Sequence, residues 1–298
     1  MSKPKASQAA AFFVACIGIA LFSVMDGVMK GLAIAIGAYN AMLWRQMLTC
    51  FMGGVTFVAK KGSWPSRGNM RLHMLRGVVA GLMAFTFFWG IARVPLAEGI
   101  ALSFIAPLIT LYLAAFMLKE RIRRSSILAS LLGLSGVLVI ATARLGDGQS
   151  DPDAIWGMGS IFVSALLYAY NLILQRQQSL VAGPVEVGFF LNMFSLVTIA
   201  VAAPWLAVVP SAEHVPSIFA AALLSFVSIM LLSWAYGRAE AQVLVPVEYT
   251  AFIWAAIVGW VAFAEPVTTS TVAGAVLIVA GCLIAARQQS DHVEAAAV

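Results

Sequence analysis

The chain has 298 residues, 62% of them hydrophobic and only 10% charged, with a mean hydropathy of +0.95. That balance excludes an ordinary soluble domain and points to an all-α polytopic membrane protein. The net charge of +5 does not call for nucleic acid, because cationic loops on one side of a bilayer account for it.

Apolar windows of about 20 residues, the length that a ~30 Å hydrocarbon core demands, recur ten times. In chain order they are 10–34, 39–59, 72–92, 96–118, 127–143, 155–174, 187–209, 217–237, 241–263 and 271–286. The opening run follows Lys3 and Lys5 as a secretory leader would. It is too long for one and holds Asp26 and Lys30, so it is expected to remain as the first helix. The linkers are short, which makes neighbouring helices antiparallel. Cys16, Cys50 and Cys282 all fall inside apolar windows and fit small core residues rather than disulfides or metal ligands.

Fourteen of the eighteen lysines and arginines fall on the side of the N-terminus. Lys30, Arg93 and Arg144 fall on the other, and Arg45 lies inside the second window. The positive-inside rule then places both termini in the cytoplasm of a bacterial-type inner membrane.

One ungapped offset runs through the chain. Trp89 and Trp234, Arg93 and Arg238, Glu120 and Glu265, and Gly136 and Gly281 are each separated by 145 positions. Windows three to five therefore match windows eight to ten, and the chain divides into halves 1–145 and 146–298. Five helices per half is an odd number, so the second half enters the membrane in the opposite sense. Inverted repeats with a site at their interface are an architecture of secondary transporters.

Arg93-Val94-Pro95-Leu96-Ala97-Glu98, Phe104-Ile105-Ala106-Pro107 and Leu118-Lys119-Glu120-Arg121 resemble the fourth-helix pattern of the drug/metabolite transporter superfamily, EamA type. The second half repeats it from Pro246-Val247-Glu248-Tyr249-Thr250-Ala251 to Glu265-Pro266, and glycine-spaced final helices follow each copy. The resemblance spans nearly the whole chain. It implies ten helices, cytoplasmic termini and a central cavity lined mainly by helices three, four, eight and nine with the first and sixth. It further implies a cargo of amino acids or other small metabolites, often moved outward. The superfamily's aromatic amino-acid exporters usually carry Trp before the fourth-helix proline, where this chain has Ala106.

The stretch 241–265 holds the most expensive side chain. A carboxylate at membrane depth costs roughly 2.5–3.5 kcal/mol on insertion scales, so Glu248 is expected to face a cavity and bind a substrate amine or a coupling proton. The alternative is a structural hydrogen bond across helices, to Tyr168, Tyr170 or Asn171. Under the 145 offset Glu248 matches Ser103, and Tyr249 matches Phe104. These four, with Asp26, Trp89, Trp234 and Tyr168, form the expected substrate site. Pro107 and Pro246 are expected hinges, because a proline frees a backbone carbonyl and lets a helix bend. Asp26 and Lys30 stand one turn apart in the favourable order for a pair. Lys30 lies near a helix end, from which it could snorkel, and both a structural pair and a site stay open. Arg45 is expected to steady a carboxylate or a helix end. His73 and Arg76 open the third helix as anchors at the membrane interface. Gly27/Gly31 and Gly77/Gly81 keep the spacing of close helix packing.

Gly133-Leu134-Ser135-Gly136 matches the GxSG of intramembrane serine proteases. That chemistry needs a histidine base on a later helix, and the later histidines, His214 and His292, sit in a loop and the tail. Asp147, Asp151 and Asp153 fit solvated loop acids, and there is no Walker A pattern. The expectation is therefore a carrier with no catalytic residues, cofactor or metal, working as a monomer in lipid on a small amphipathic metabolite. Amino acids come first as cargo, including aromatic ones, and export first as direction. Uptake, a nucleotide-linked cargo, a channel and a membrane-embedded enzyme are the alternatives.

Overall fold

In lipid, a helix satisfies every backbone polar group within its own segment, and the described parts of the apolar windows fall largely on helices. The computed structural model describes residues 5–62, 64–118, 124–146, 152–236 and 247–295, and among these there is no strand. The expected hinge Pro246 lies outside the described residues, as do Glu120, Arg238, Asp147 and Asp151.

Helix α1 (Lys5–Ala59) takes in the first two windows and contains one non-helical residue, Gly37, at φ 79° and ψ 145°. Glycine alone adopts that conformation without strain. Asp26 and Arg45 interact electrostatically across the break, although 19 residues of straight helix would hold them about 28 Å apart. The chain therefore doubles back at Gly37, and α1 is a hairpin of two arms. Helix α2 (Arg67–Ile91) starts at Ser66, whose Oγ accepts the N–H of Asn69 at 3.3 Å.

The fourth window is broken into α3 (Leu96–Ser103) and α4 (Ala106–Leu118). Then come α5 (Arg124–Gly146), α6 (Pro152–Ser179) and α7 (Pro184–Ala200). The seventh window was expected to reach residue 209. Its long helix stops at Ala200, short of Pro204, and only α8 (Ala203–Leu206) and a 3-10 turn (Ala212–His214) separate it from α9 (Val215–Tyr236). Helices α10 (Ala251–Phe263) and α11 (Thr269–Ala295) complete the fold. Among the described residues four helices are long and apolar enough to cross a bilayer, and five further apolar helical stretches run 10–17 residues.

Helix α1 lies along α9, α2 along α6 and α7, and α5 along α11, while α3 and α4 touch α6 and α10 touches α1 and α3. Small residues set these approaches, as expected in lipid. A Cβ on Gly136 would meet the Gly274 carbonyl oxygen at 2.5 Å, so α5 and α11 cross backbone to backbone. Val258 fills the space beside Gly27, and Phe194 that beside Gly77. Met25, Met29, Ile91, Leu96, Ile161 and Ile278 are fully buried in the core. Trp64, Trp156, Trp205 and Trp260 are exposed near helix ends, the places where tryptophan is enriched at membrane–water interfaces.

Candidate functional site

The site begins with two matched breaks. In the fourth window the turn falls at Phe104 and Ile105, where the Ile105 N–H reaches the Leu102 carbonyl at 3.3 Å. Leu108 and Ile109 then donate to the Ile105 carbonyl at 3.0 and 3.1 Å. Pro107 has no N–H to give, which leaves the Ser103 carbonyl out of the helical ladder. The break at Tyr249 and Thr250 repeats this pattern 145 positions later. Thr250 donates to Val247 at 3.0 Å, and Ile253 and Trp254 donate to Thr250 at 2.9 and 3.2 Å.

The two breaks meet. Phe104 and Tyr249 stand edge to face, with ring centroids 5.3 Å apart and planes at 89°, the geometry that the aromatic quadrupole favours. Glu248 immediately precedes this pair, on helical backbone with an exposed side chain. Exposure in a membrane bundle means lipid or a water-filled space. Tyr168 of α6 lies within electrostatic reach of Glu248 and also of Arg76. Tyr168 itself packs beside Ile105 and Ala106, next to the first break. Ser103, the expected counterpart of Glu248, spends its hydroxyl on the Gly99 carbonyl of its own helix at 2.9 Å.

Asp26 and Arg45 face each other from the two arms of α1. Both are buried, and neither Oδ1 of Asp26 nor Nε of Arg45 has a hydrogen-bond partner. The Arg45 Nη atoms make long contacts with Ser225 (3.5 Å) and Gln46 (3.3 Å), and its guanidinium lies 5.7 Å from the Phe88 ring centroid. Trp89 stands third from the end of α2, and Trp234 lies close to the last described residue of α9. Arg93 stacks on the Trp89 ring at 3.5 Å and donates to its carbonyl at 2.9 Å.

Two expectations are corrected. Lys30 does not snorkel: it is 3% exposed, pairs with Glu265 and donates to the Val94 carbonyl at 2.6 Å. The second Glu265 oxygen accepts the Leu96 N–H at 2.8 Å and so caps α3. Snorkelling fails because α10 packs along that arm of α1, and Glu265 and the Val94 carbonyl hold the ammonium inside. His73 and Arg76 are not interface anchors either, since both are buried between α2, α6 and α7. Their partners, Gln178 and Glu186, lie about a hundred residues away, and no local spacing points to them. The GxSG serine donates to the Leu132 carbonyl at 2.7 Å and its second glycine is packed on Gly274, so packing accounts for the motif.

The EamA-like transporter family matches the chain over residues 3–142 and again over residues 155–287. The pseudopaline exporter CntI of Pseudomonas aeruginosa is 23% identical, covering 89% of this chain and 92% of its own. The aromatic amino acid exporter YddG of Ancylobacter novellus is 27% identical over 70% and 73%. The S-adenosylmethionine uptake transporter of Rickettsia bellii is 25% identical over 71% of each. The match to an uncharacterized Helicobacter pylori transporter, at 28% identity, spans 65% of both chains. A crystal structure superposes on 93% of this chain and 96% of its own, with a TM-score of 0.60 at 19% identity, a likeness of fold.

Proposed function

The chain belongs to the EamA-like transporter family, and from that premise we propose that it exports amino acids across a bacterial inner membrane by alternating access. That it is a multi-pass transporter of small molecules follows from the family and the apolar helices. The finer reading rests chiefly on one observation, the meeting of two matched helix breaks at Phe104 and Tyr249 beside the intramembrane carboxylate of Glu248.

The rest follows from that arrangement. Residues 1–145 and 146–298 act as two inverted halves, which the packing supports: α2 meets α6 and α7 much as α9 meets α1, and α5 meets α11. Broken helices at the seam bend more readily than continuous ones, so α3/α4 and α10 serve as the moving walls. Glu248 holds the ammonium group of the cargo, and Phe104, Tyr249 and Tyr168 pack against its side chain. Asp26 and Arg45 supply further charge of both signs. Export of an aromatic amino acid has the support of the Ancylobacter relative. Uptake is the second reading, favoured by the Rickettsia relative.

The test is counterflow of labelled amino acids into proteoliposomes of defined orientation. Glu248→Gln should lower flux about tenfold or more, the value of a hydrogen bond to a charged group, while insertion and helicity stay at wild-type levels. Undiminished flux in that variant removes Glu248 from the site, and saturable flux of a non-amino-acid cargo alone replaces the substrate assignment.

A further inference from the structure

A buried polar chain at the opening end of α2 has no part in the site above. His73 is 0% exposed and its ring stacks on Phe190 of α7, with centroids 5.1 Å apart. Its Nε2 lies 2.9 Å from Oε1 of Glu186 on α7, and its Nδ1 meets the side-chain amide nitrogen of Gln178 on α6. The other end of that amide, Oε1, accepts from Nη1 of Arg76. Arg76 is held in turn by Asn171 at 3.2 Å and Gln175 at 3.1 Å.

Donor and acceptor rules leave this chain one arrangement. A guanidinium only donates, so Gln178 must present its oxygen to Arg76 and its NH2 to His73. Nδ1 must then accept and carries no proton. The ring proton sits on Nε2 and is donated to Glu186. His73 is thereby set as the neutral Nε2–H tautomer by an arginine that it does not touch. A proton arriving at Nδ1 would set donor against donor. Turning Gln178 over to relieve that clash sets its NH2 against Arg76 instead. Either way one bond between α2 and α6 is lost.

We propose that His73 is a proton-binding site of this carrier and that the proton it takes up unlatches α2 from α6. Among the described residues the charged groups facing it are Glu186 of α7 and, through Gln178, Arg76 of its own helix. Helix α6 presents the neutral Gln178, Gln175 and Asn171. Water reaches the buried Nδ1 only once Gln178 moves away, so proton uptake and opening are one event. The proton comes from the aqueous phase at that end, binds the Nδ1 lone pair and leaves Nε2–H on Glu186. Arg76 also lies near Tyr168, which shares the field of Glu248. This latch rests on the carrier reading above only for what the opening accomplishes.

The chain has three histidines, so their 15N signals are separable. NMR of the full-length protein in nanodiscs should show His73 as the Nε2–H tautomer at pH 8 and as imidazolium after acidification. Spin labels at the exposed Arg71 and Leu180 should move apart along the same titration, with the open state favoured about tenfold, the worth of one hydrogen bond to a charged group. His73→Asn keeps an acceptor toward Gln178 but cannot be protonated, so in that variant the label distance and the flux should no longer respond to pH over 5–8. An Nδ1–H tautomer, a His73 that stays neutral to pH 5, or a label distance indifferent to its protonation overturns the proposal. If no amino acid is carried yet the labels still separate with protonation, the cargo assignment falls and the latch stands.

Discussion

Removing the charge of Glu265 should cost more stability than any surface substitution, and the structure sets the size. Its partner Lys30 has a side chain only 4% exposed, and Glu265 itself is 18% exposed. Breaking a buried pair from one side costs about 3–5 kcal/mol, because the remaining charge stays desolvated. The partial exposure of Glu265 places Glu265→Gln near the lower end, about 3 kcal/mol, or roughly a hundredfold in the folding equilibrium. The glutamine retains one acceptor, which serves either Leu96 N–H or Lys30 but not both. Lys30→Met with Glu265→Gln removes both charges, leaves the cap on α3 and should recover most of the loss. Denaturant unfolding of the four proteins of this double-mutant cycle, purified in one detergent, gives the coupling. A single-variant loss below about 0.5 kcal/mol, or a double variant whose cost equals the sum of the single ones, refutes the claim that this pair ties α1 to α3 and α10.

Two further predictions concern backbone. Gly136→Ala drives a Cβ to 2.5 Å from the Gly274 carbonyl oxygen, whereas the same change at Gly188 meets nothing within 4 Å. The first should lose about 1–3 kcal/mol by overpacking and the second almost nothing, and equal thermal shifts would dismiss the α5–α11 crossing. Gly37→Ala forces a side chain into φ 79°, at a strain of about 1–3 kcal/mol. It should lower the yield of folded protein or the melting temperature, and an unchanged value would show that the hairpin does not turn there.

Much of the architecture was legible in the order of residues, because lipid imposes length and hydropathy on each helix separately. The windows, the break near Pro107 and the packing role of Gly27 and Gly77 are local consequences of residue type. The 145 offset also linked Phe104 to Tyr249, since a repeated sequence tends to repeat its bends. Distant pairings were illegible. The (i, i+4) spacing coupled Lys30 to Asp26, yet the ion pair it makes is with Glu265, 235 positions away. His73 had the position of an interface anchor and became a buried group among Gln178, Glu186 and Phe190.

The sequence alone therefore determined the class of the molecule and the rough placing of its apolar helices, and it singled out Glu248 as a carboxylate costly to leave in lipid. Tertiary structure alone decided which polar groups share a neighbourhood: Asp26 with Arg45, Lys30 with Glu265, and His73 with an arginine that dictates its tautomer through an amide. The reason is physical. A helix forms from contacts four residues apart, but the partner of a buried charge depends on which helices pack side by side, and small residues scattered along the whole chain set that packing.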